Sequence, residues 1–143
     1  MLSLAARECG IDTLLAAEPL GGMPALRAKS LALTRAFAAR VQERCAGHGL
    51  ALVSPADDAL RGSQVCLSRA EGAYAIVQAL IARGVIGDFR AGDGPAVPDI
   101  LRFGFTPLYT RFVDAWDAVE HLAQVLDSGE WRQDRFNQRA AVT

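Results

Sequence analysis

The sequence predicts an α+β domain, an α/β two-layer arrangement in which a four-stranded, mixed or largely antiparallel sheet carries helices on one face. Three observations predict it. The 143 residues are 51% hydrophobic and 22% charged, which suits one domain with one core and not two. Apolar periodicity switches along the chain in the order helix, strand, strand, helix, strand, strand, helix. No internal repeat or low-complexity segment interrupts that order. One layer of helices leaves the second sheet face to water or to another covering surface.

The first twenty residues are apolar and irregular. Leu2, Leu4, Ala5, Ile11, Leu14 and Leu15 suit short helical turns interrupted by Gly10, and the segment begins mid-pattern, like the end of something larger. Pro19 and Gly21-Gly22 mark a break. Pro24 fits the first turn of a helix, where its missing N–H costs nothing. Leu26, Leu31, Leu33, Thr34, Phe37, Ala38, Val41 and Cys45 follow at helical spacing, with Lys29 on the polar face and an end near Gly47 and Gly49. Leu50 to Val53 and Gln64 to Leu67 read as strands. Ser68 and Glu71 match a capping box that opens a helix through Tyr74, Ile76, Val77, Leu80 and Ile81, and Gly84 stops it as the residue after the C-cap. Val85 to Phe89 and Ile100 to Phe105 are the remaining strands, separated by a Gly/Pro/Asp loop over 91–99, and Pro107 ends the last of them. The final helix spans about Arg111 to Asp127 with an apolar stripe of Phe112, Val113, Trp116, Val119, Leu122, Val125 and Leu126. Ser128-Gly129 ends it, and the tail to Thr143 reads as polar.

Composition narrows the function. Fifteen basic against sixteen acidic residues give a net charge of -1 with no block of like charge, so a nucleic-acid or anionic-membrane surface is not indicated. No apolar run approaches the roughly 18 residues of a membrane span, and the start at Met1 lacks the features of a signal peptide. The expected compartment is the cytoplasm. Cys9, Cys45 and Cys66 are odd in number and widely spaced, which fits small buried apolar residues better than a disulfide framework or a zinc site. Of the basic residues only Lys29 is a lysine, so chemistry that needs one has a single candidate.

The stock catalytic patterns for phosphate cradles, zinc proteases and nucleophile elbows are missing. Asp57-Asp58 reads as a loop-solvating pair, His48 as a C-terminal cap on its helix, and His121 as a boundary residue of the last helix. The informative segment is Ile100 to Thr106. Alternation puts Leu101, Phe103 and Phe105 on the core face and Ile100, Arg102, Gly104 and Thr106 on the other. Arg102 is then fixed on a rigid strand away from the core, and Gly104 beside it removes bulk. Two readings stand: a surface arginine paired with Asp88 on the neighbouring strand, or a guanidinium that binds a carboxylate through two parallel hydrogen bonds. Arg61, in Arg61-Gly62-Ser63, holds either a loop or an anion, and Gly62 suggests a tight backbone position.

The run Gly84-Val-Ile-Gly-Asp-Phe-Arg90, followed by Asp99-Ile-Leu-Arg-Phe-Gly-Phe-Thr-Pro-Leu-Tyr-Thr-Arg-Phe-Val-Asp-Ala-Trp-Asp117, resembles the C-terminal part of bacterial kynureninases. Lys29 to Thr34, Arg61 to Gln64, Glu130-Trp131 and the ending Val142-Thr143 match in the same order, so the resemblance covers essentially the whole chain. It implies the small domain of an enzyme of the aspartate-aminotransferase-like fold. Kynureninases are homodimeric, pyridoxal-phosphate-dependent hydrolases that cleave L-kynurenine to anthranilate and L-alanine in tryptophan catabolism, a route that also feeds NAD biosynthesis. An arginine of their small domain binds the substrate α-carboxylate, and Arg102 stands where that arginine should be, with Gly104 and Arg61 as supporting candidates.

The resemblance divides the chain into residues 1–20, a remnant of the large domain or an interdomain segment, and residues 21–143, the small domain. It also implies an absence. The family's phosphate-binding groups, the aspartate under the pyridine nitrogen and the Schiff-base lysine belong to a large domain that has no counterpart here. Lys29 does not replace that lysine, because its surroundings match the small domain's own helix. The expectation is a chain that supplies carboxylate recognition and is inactive by itself, binding pyridoxal phosphate weakly or not at all, in company with a large domain or a second copy. The competing reading is a non-catalytic self-association or partner-binding module derived from that domain. The small domain of an aminotransferase or cysteine desulfurase fits less well, for want of a catalytic cysteine loop.

Overall fold

The two strands with the clearest alternation, β2 (Gln64–Ser68) and β4 (Ile100–Gly104), form the middle of the sheet. They pair antiparallel, with Val65 opposite Phe103, Cys66 opposite Arg102 and Leu67 opposite Leu101. This is a computed structural model that describes residues 4–94 and 97–138. The edge strands β1 (Ala51–Leu52) and β3 (Asp88–Arg90) flank β2 and β4, also antiparallel, giving the order β1-β2-β4-β3. The sheet is therefore antiparallel throughout its described strands. The start at Met1, the loop residues 95–96 and the ending Val142-Thr143 lie outside the described residues.

Helices cover one face, as the alternation requires. Val65, Leu67, Leu101 and Phe103 point into the core, where α2 (Gly22–Arg44) and α3 (Ala73–Ala82) meet the sheet and α4 (Phe112–Ser128) packs on both helices. Phe37 of α2 stacks against Phe103 and Phe105, with ring centroids 4.9 and 5.0 Å away. Most of α3 is apolar around its circumference, and Ala73, Ala75, Ile76, Val77, Ala79 and Leu80 are all buried. It ends where expected, at Gly84 in the left-handed conformation (φ +85°), whose N–H bonds the carbonyl of Ile81.

Several expectations are corrected. The N-terminal segment is one continuous helix, α1 (Leu4–Ala16), which runs through Gly10. A glycine inside a helix costs only about 1 kcal/mol, and the break comes later, at Glu18–Leu20 and Gly21. The Ser68–Glu71 capping box does not form. Ser68 stays on the β2 ladder opposite Ile100, and α3 starts after Gly72 at φ +73°. Gly72 backs onto the Trp131 ring so closely that an added Cβ would overlap it. The third strand is shorter than Val85 to Phe89, because Ile86 stands out at 76% exposure and only Asp88–Arg90 reaches β4. On α4 the stripe begins half-exposed at Phe112, Val113 and Trp116 and is buried from Val119 onward. The tail is not merely polar: a 3-10 turn (Glu130–Arg132) and α5 (Asp134–Asn137) bury Trp131 and Phe136 against α3. Cys45 is buried, which pushes its thiol up to about 11, and Cys66 is half-buried, but Cys9 is exposed.

The packing of the tail carries a pH signature. Arg83 donates from Nε and Nη2 to the two oxygens of Glu130, each at 2.8 Å, and holds that carboxyl below the usual 4.5. Arg40 and then Arg44 lower Glu120 in the same way, and Arg111 lowers Asp114. A carboxyl with a lower pKa folded than unfolded contributes stability above its unfolded pKa and loses it as pH falls through the folded one. The thermal midpoint is therefore expected to hold from neutral pH to about 5 and to drop below the usual carboxylate range. Glu130→Gln should lower the midpoint at pH 7 and flatten the acid drop, so that the two curves converge near pH 3 (about the range where carboxylates are protonated). Parallel curves would show that the ion pair does not drive the drop.

Candidate functional site

The burial of Leu101, Phe103 and Phe105 leaves no choice for the residues between them: Arg102 and Gly104 face away from the helices. The Arg102 side chain is 31% exposed. Its register partner on β3 is Asp88, and Arg102 Nη2 donates to Asp88 Oδ2. Arg90, two residues along the same strand and so on the same face, reaches the same oxygen from Nη2 at 2.9 Å. Two guanidinium groups thus share one carboxylate oxygen, and the cluster keeps a formal charge of +1. A guanidinium carries five N–H donors, and among the described residues that of Arg102 makes no other hydrogen bond. A Cβ added at Gly104 would meet nothing within 4 Å, so the surface beside the guanidinium is open. On the other side stands the small, half-buried Cys66. This arrangement can take an anion with two acceptor oxygens, which is what a carboxylate offers.

Arg61 is not part of that surface. It is 8% exposed, and its donors are directed inward. Nε donates to Thr34 Oγ1 at 3.3 Å, Nη1 to the carbonyls of Pro55 and Ala56 at 2.9 and 3.1 Å, and Nη2 to Asp58. Arg35 pairs with the other oxygen of Asp58 at 3.1 Å, and Arg27 bonds the Asp58 carbonyl at 2.6 Å. The guanidinium is filled by the 55–58 loop and fixes that loop to α2, as a buried charge requires. Gly62 is not tight: its φ is not positive and an added Cβ would meet nothing within 4 Å.

The remaining candidates are distributed through the structure. Lys29 Nζ donates to the Pro107 carbonyl at 2.6 Å, tying α2 to the chain that leaves β4. Asp58 is an ion-pair hub and does not solvate the loop; Asp57 accepts from the Ala59 N–H at 2.8 Å. His48 lies beyond the C-cap residue Cys45 and meets Asp127 at the far end of α4, 2.9 Å away. His121 is half-buried on α4, and its Nδ1 has no partner among the described residues. No group of three or more His, Cys, Asp or Glu among the described residues could hold a metal ion, and no described helix is long and apolar enough to cross a membrane. The residue that spacing left in the background is Arg90. Its signal was present, since Asp88 and Arg90 are two apart on a strand and so share Arg102's face.

Comparison with known proteins agrees with the motif order. Residues 26–122 match the family model described as the kynureninase C-terminal domain. The chain is 53% identical over all 143 residues to kynureninases of Burkholderia mallei (strain SAVP1) and Burkholderia pseudomallei (strain K96243). It is 50% identical over 141 residues to a kynureninase of Pseudomonas fluorescens. It covers 100%, 100% and 99% of its own length in these matches and 32%, 32% and 31% of theirs, so it spans about a third of the curated relatives.

Proposed function

We propose, from the premise that this chain belongs to the kynureninase C-terminal domain family, that it supplies the α-carboxylate site for hydrolysis of L-kynurenine to anthranilate and L-alanine. Arg102 is the residue we assign to that site. The observation that carries the assignment is its place on β4: a cation locked to the sheet by buried neighbours, on the uncovered face, with unused donors beside an open glycine. Loops move and long side chains wander, whereas a strand flanked by Leu101 and Phe103 keeps a guanidinium in register. Binding the carboxylate orients the substrate and adds affinity, and its two parallel hydrogen bonds fix direction as well as charge.

Pyridoxal phosphate, which serves as the electron sink in this chemistry, does not fit the residues present. The one lysine, Lys29, is spent on the Pro107 carbonyl and binds α2 to the exit of β4. We therefore place the cofactor's own groups in the large-domain portion that the longer relatives carry, with residues 1–20 as the joining segment and residues 21–143 as the small domain. No catalytic step is assigned to this chain, and activity is expected only with that portion present, in a dimer.

The test joins this chain to the large-domain portion of the Burkholderia mallei kynureninase and follows anthranilate fluorescence. Arg102→Ala is expected to lower kcat/KM for L-kynurenine by about 30-fold or more, or about 2 kcal/mol for a charged hydrogen bond. Arg102→Lys, which keeps the charge but not the fork, should recover only part. The unjoined chain mixed with pyridoxal phosphate and L-kynurenine should give neither fluorescence nor the visible absorbance of a lysine-bound cofactor. An Arg102→Ala enzyme with unchanged kcat/KM would sink the assignment and favour the self-association reading.

A further inference from the structure

We infer that Asp88 is a positioning residue for Arg102, the counter-ion that decides which edge of the guanidinium faces the incoming carboxylate. The inference rests on the assignment of Arg102 to the carboxylate site. It starts from the register: β3 meets β4 with Asp88 directly opposite Arg102, so the carboxylate is placed by the sheet and not by a loop. Of the guanidinium nitrogens of Arg102 only Nη2 is engaged, and Asp88 Oδ2 is its sole partner among the described residues. Asp88 takes one N–H of Nη2 and so turns the opposite edge of the guanidinium, where the second Nη2 hydrogen stands parallel to a neighbouring N–H, toward the ligand.

The pair has little other purpose. Its side chains are 31% and 45% exposed, and ion pairs so exposed contribute little to stability. An arginine left unpaired on this surface would sample many rotamers, and each must be lost again when a substrate binds. A negative charge beside a carboxylate site is itself unfavourable, and Arg90 answers that. By reaching the same Oδ2 at 2.9 Å it offsets the charge of Asp88, so that the substrate carboxylate meets a cluster of net charge +1. Asp88 therefore orients Arg102 without cancelling its attraction for an anion.

The experiment uses the same joined enzyme. Asp88→Ala is expected to raise KM for L-kynurenine about tenfold while kcat stays within about twofold, the pattern of lost ground-state and transition-state binding alike. Asp88→Asn, which retains an acceptor oxygen opposite Nη2, should return KM to within about threefold of the parent. The penalty should vanish for the carboxamide of kynurenine, which has no carboxylate to orient; a purely structural role would penalise both substrates equally. Thermal midpoints of both variants should match the parent, in keeping with the exposure of the pair. An Asp88→Ala enzyme with unchanged KM for L-kynurenine, or with the same rise for the carboxamide, overturns the inference. Failure of the underlying assignment would look different, because Arg102→Ala itself would then leave KM unchanged.

Discussion

An alanine at position 37 is expected to destabilise the domain by about 3–5 kcal/mol, the usual cost of truncating a buried phenylalanine. Phe37 is 1% exposed and lies at the centre of the aromatic cluster that fastens α2 to the sheet. Its ring leans on Phe103 and Phe105, the two residues on either side of Gly104. Removing it takes away both ring contacts and leaves a cavity that the flanking strand can close only in part. Typical domains hold about 5–15 kcal/mol in total, so much of the reserve would go. Denaturant unfolding should show a lower midpoint with an unchanged slope. The same change loosens the support of β4, and in the joined enzyme KM for L-kynurenine should rise with temperature sooner than in the parent. A loss below about 1 kcal/mol would mean that the cluster repacks around the gap.

Replacing Arg61 with methionine is expected to cost about 3 kcal/mol, in the range for breaking a buried ion pair by removing one partner. The apolar stem of methionine fills much of the space, but the carbonyls of Pro55 and Ala56 lose their donor and Thr34 Oγ1 loses a partner. Asp58 keeps Arg35, which limits the damage. Because the donors of Arg61 point into the 55–58 loop and α2, KM for L-kynurenine in the folded joined enzyme should not move. Chemical denaturation and steady-state kinetics on one preparation check both halves. A rise in KM beyond about threefold, of the kind expected for a lost ligand contact, would return Arg61 to the list of anion-binding residues.

The parts of the fold legible in the sequence were those with strong local periodicity. The helix of α2, the alternation of β2 and β4, the stop at Gly84 and the later part of the α4 stripe each follow from residues a few positions apart. The parts misread were those where a distant segment overrode a local signal. Ser68 and Glu71 carry a capping box, yet pairing with Ile100 keeps Ser68 extended and Trp131 sets the geometry at Gly72. Trp131 and Phe136 sit in a charged tail, and distant segments, chiefly the apolar surface of α3, give them a place to be buried. Gly10 has a poor helix propensity, yet one glycine does not end a helix whose other residues favour it.

The candidate site divides in the same way. Alternation alone determines that Arg102 and Gly104 share the face opposite Leu101 and Phe103, because a strand sends successive side chains to opposite sides whatever it pairs with. The sequence by itself also determines the family, since the motifs keep their order over the whole chain. What Arg61 holds was decided only by the tertiary structure, which brings Thr34, 27 positions away, and the 55–58 loop around one guanidinium. The sharing of one Asp88 oxygen by Arg90 and Arg102 was decided there too, by the register of β3 on β4. Period is a property of neighbouring residues, and register is a property of segments that must first meet; an ion pair between strands belongs to the second kind.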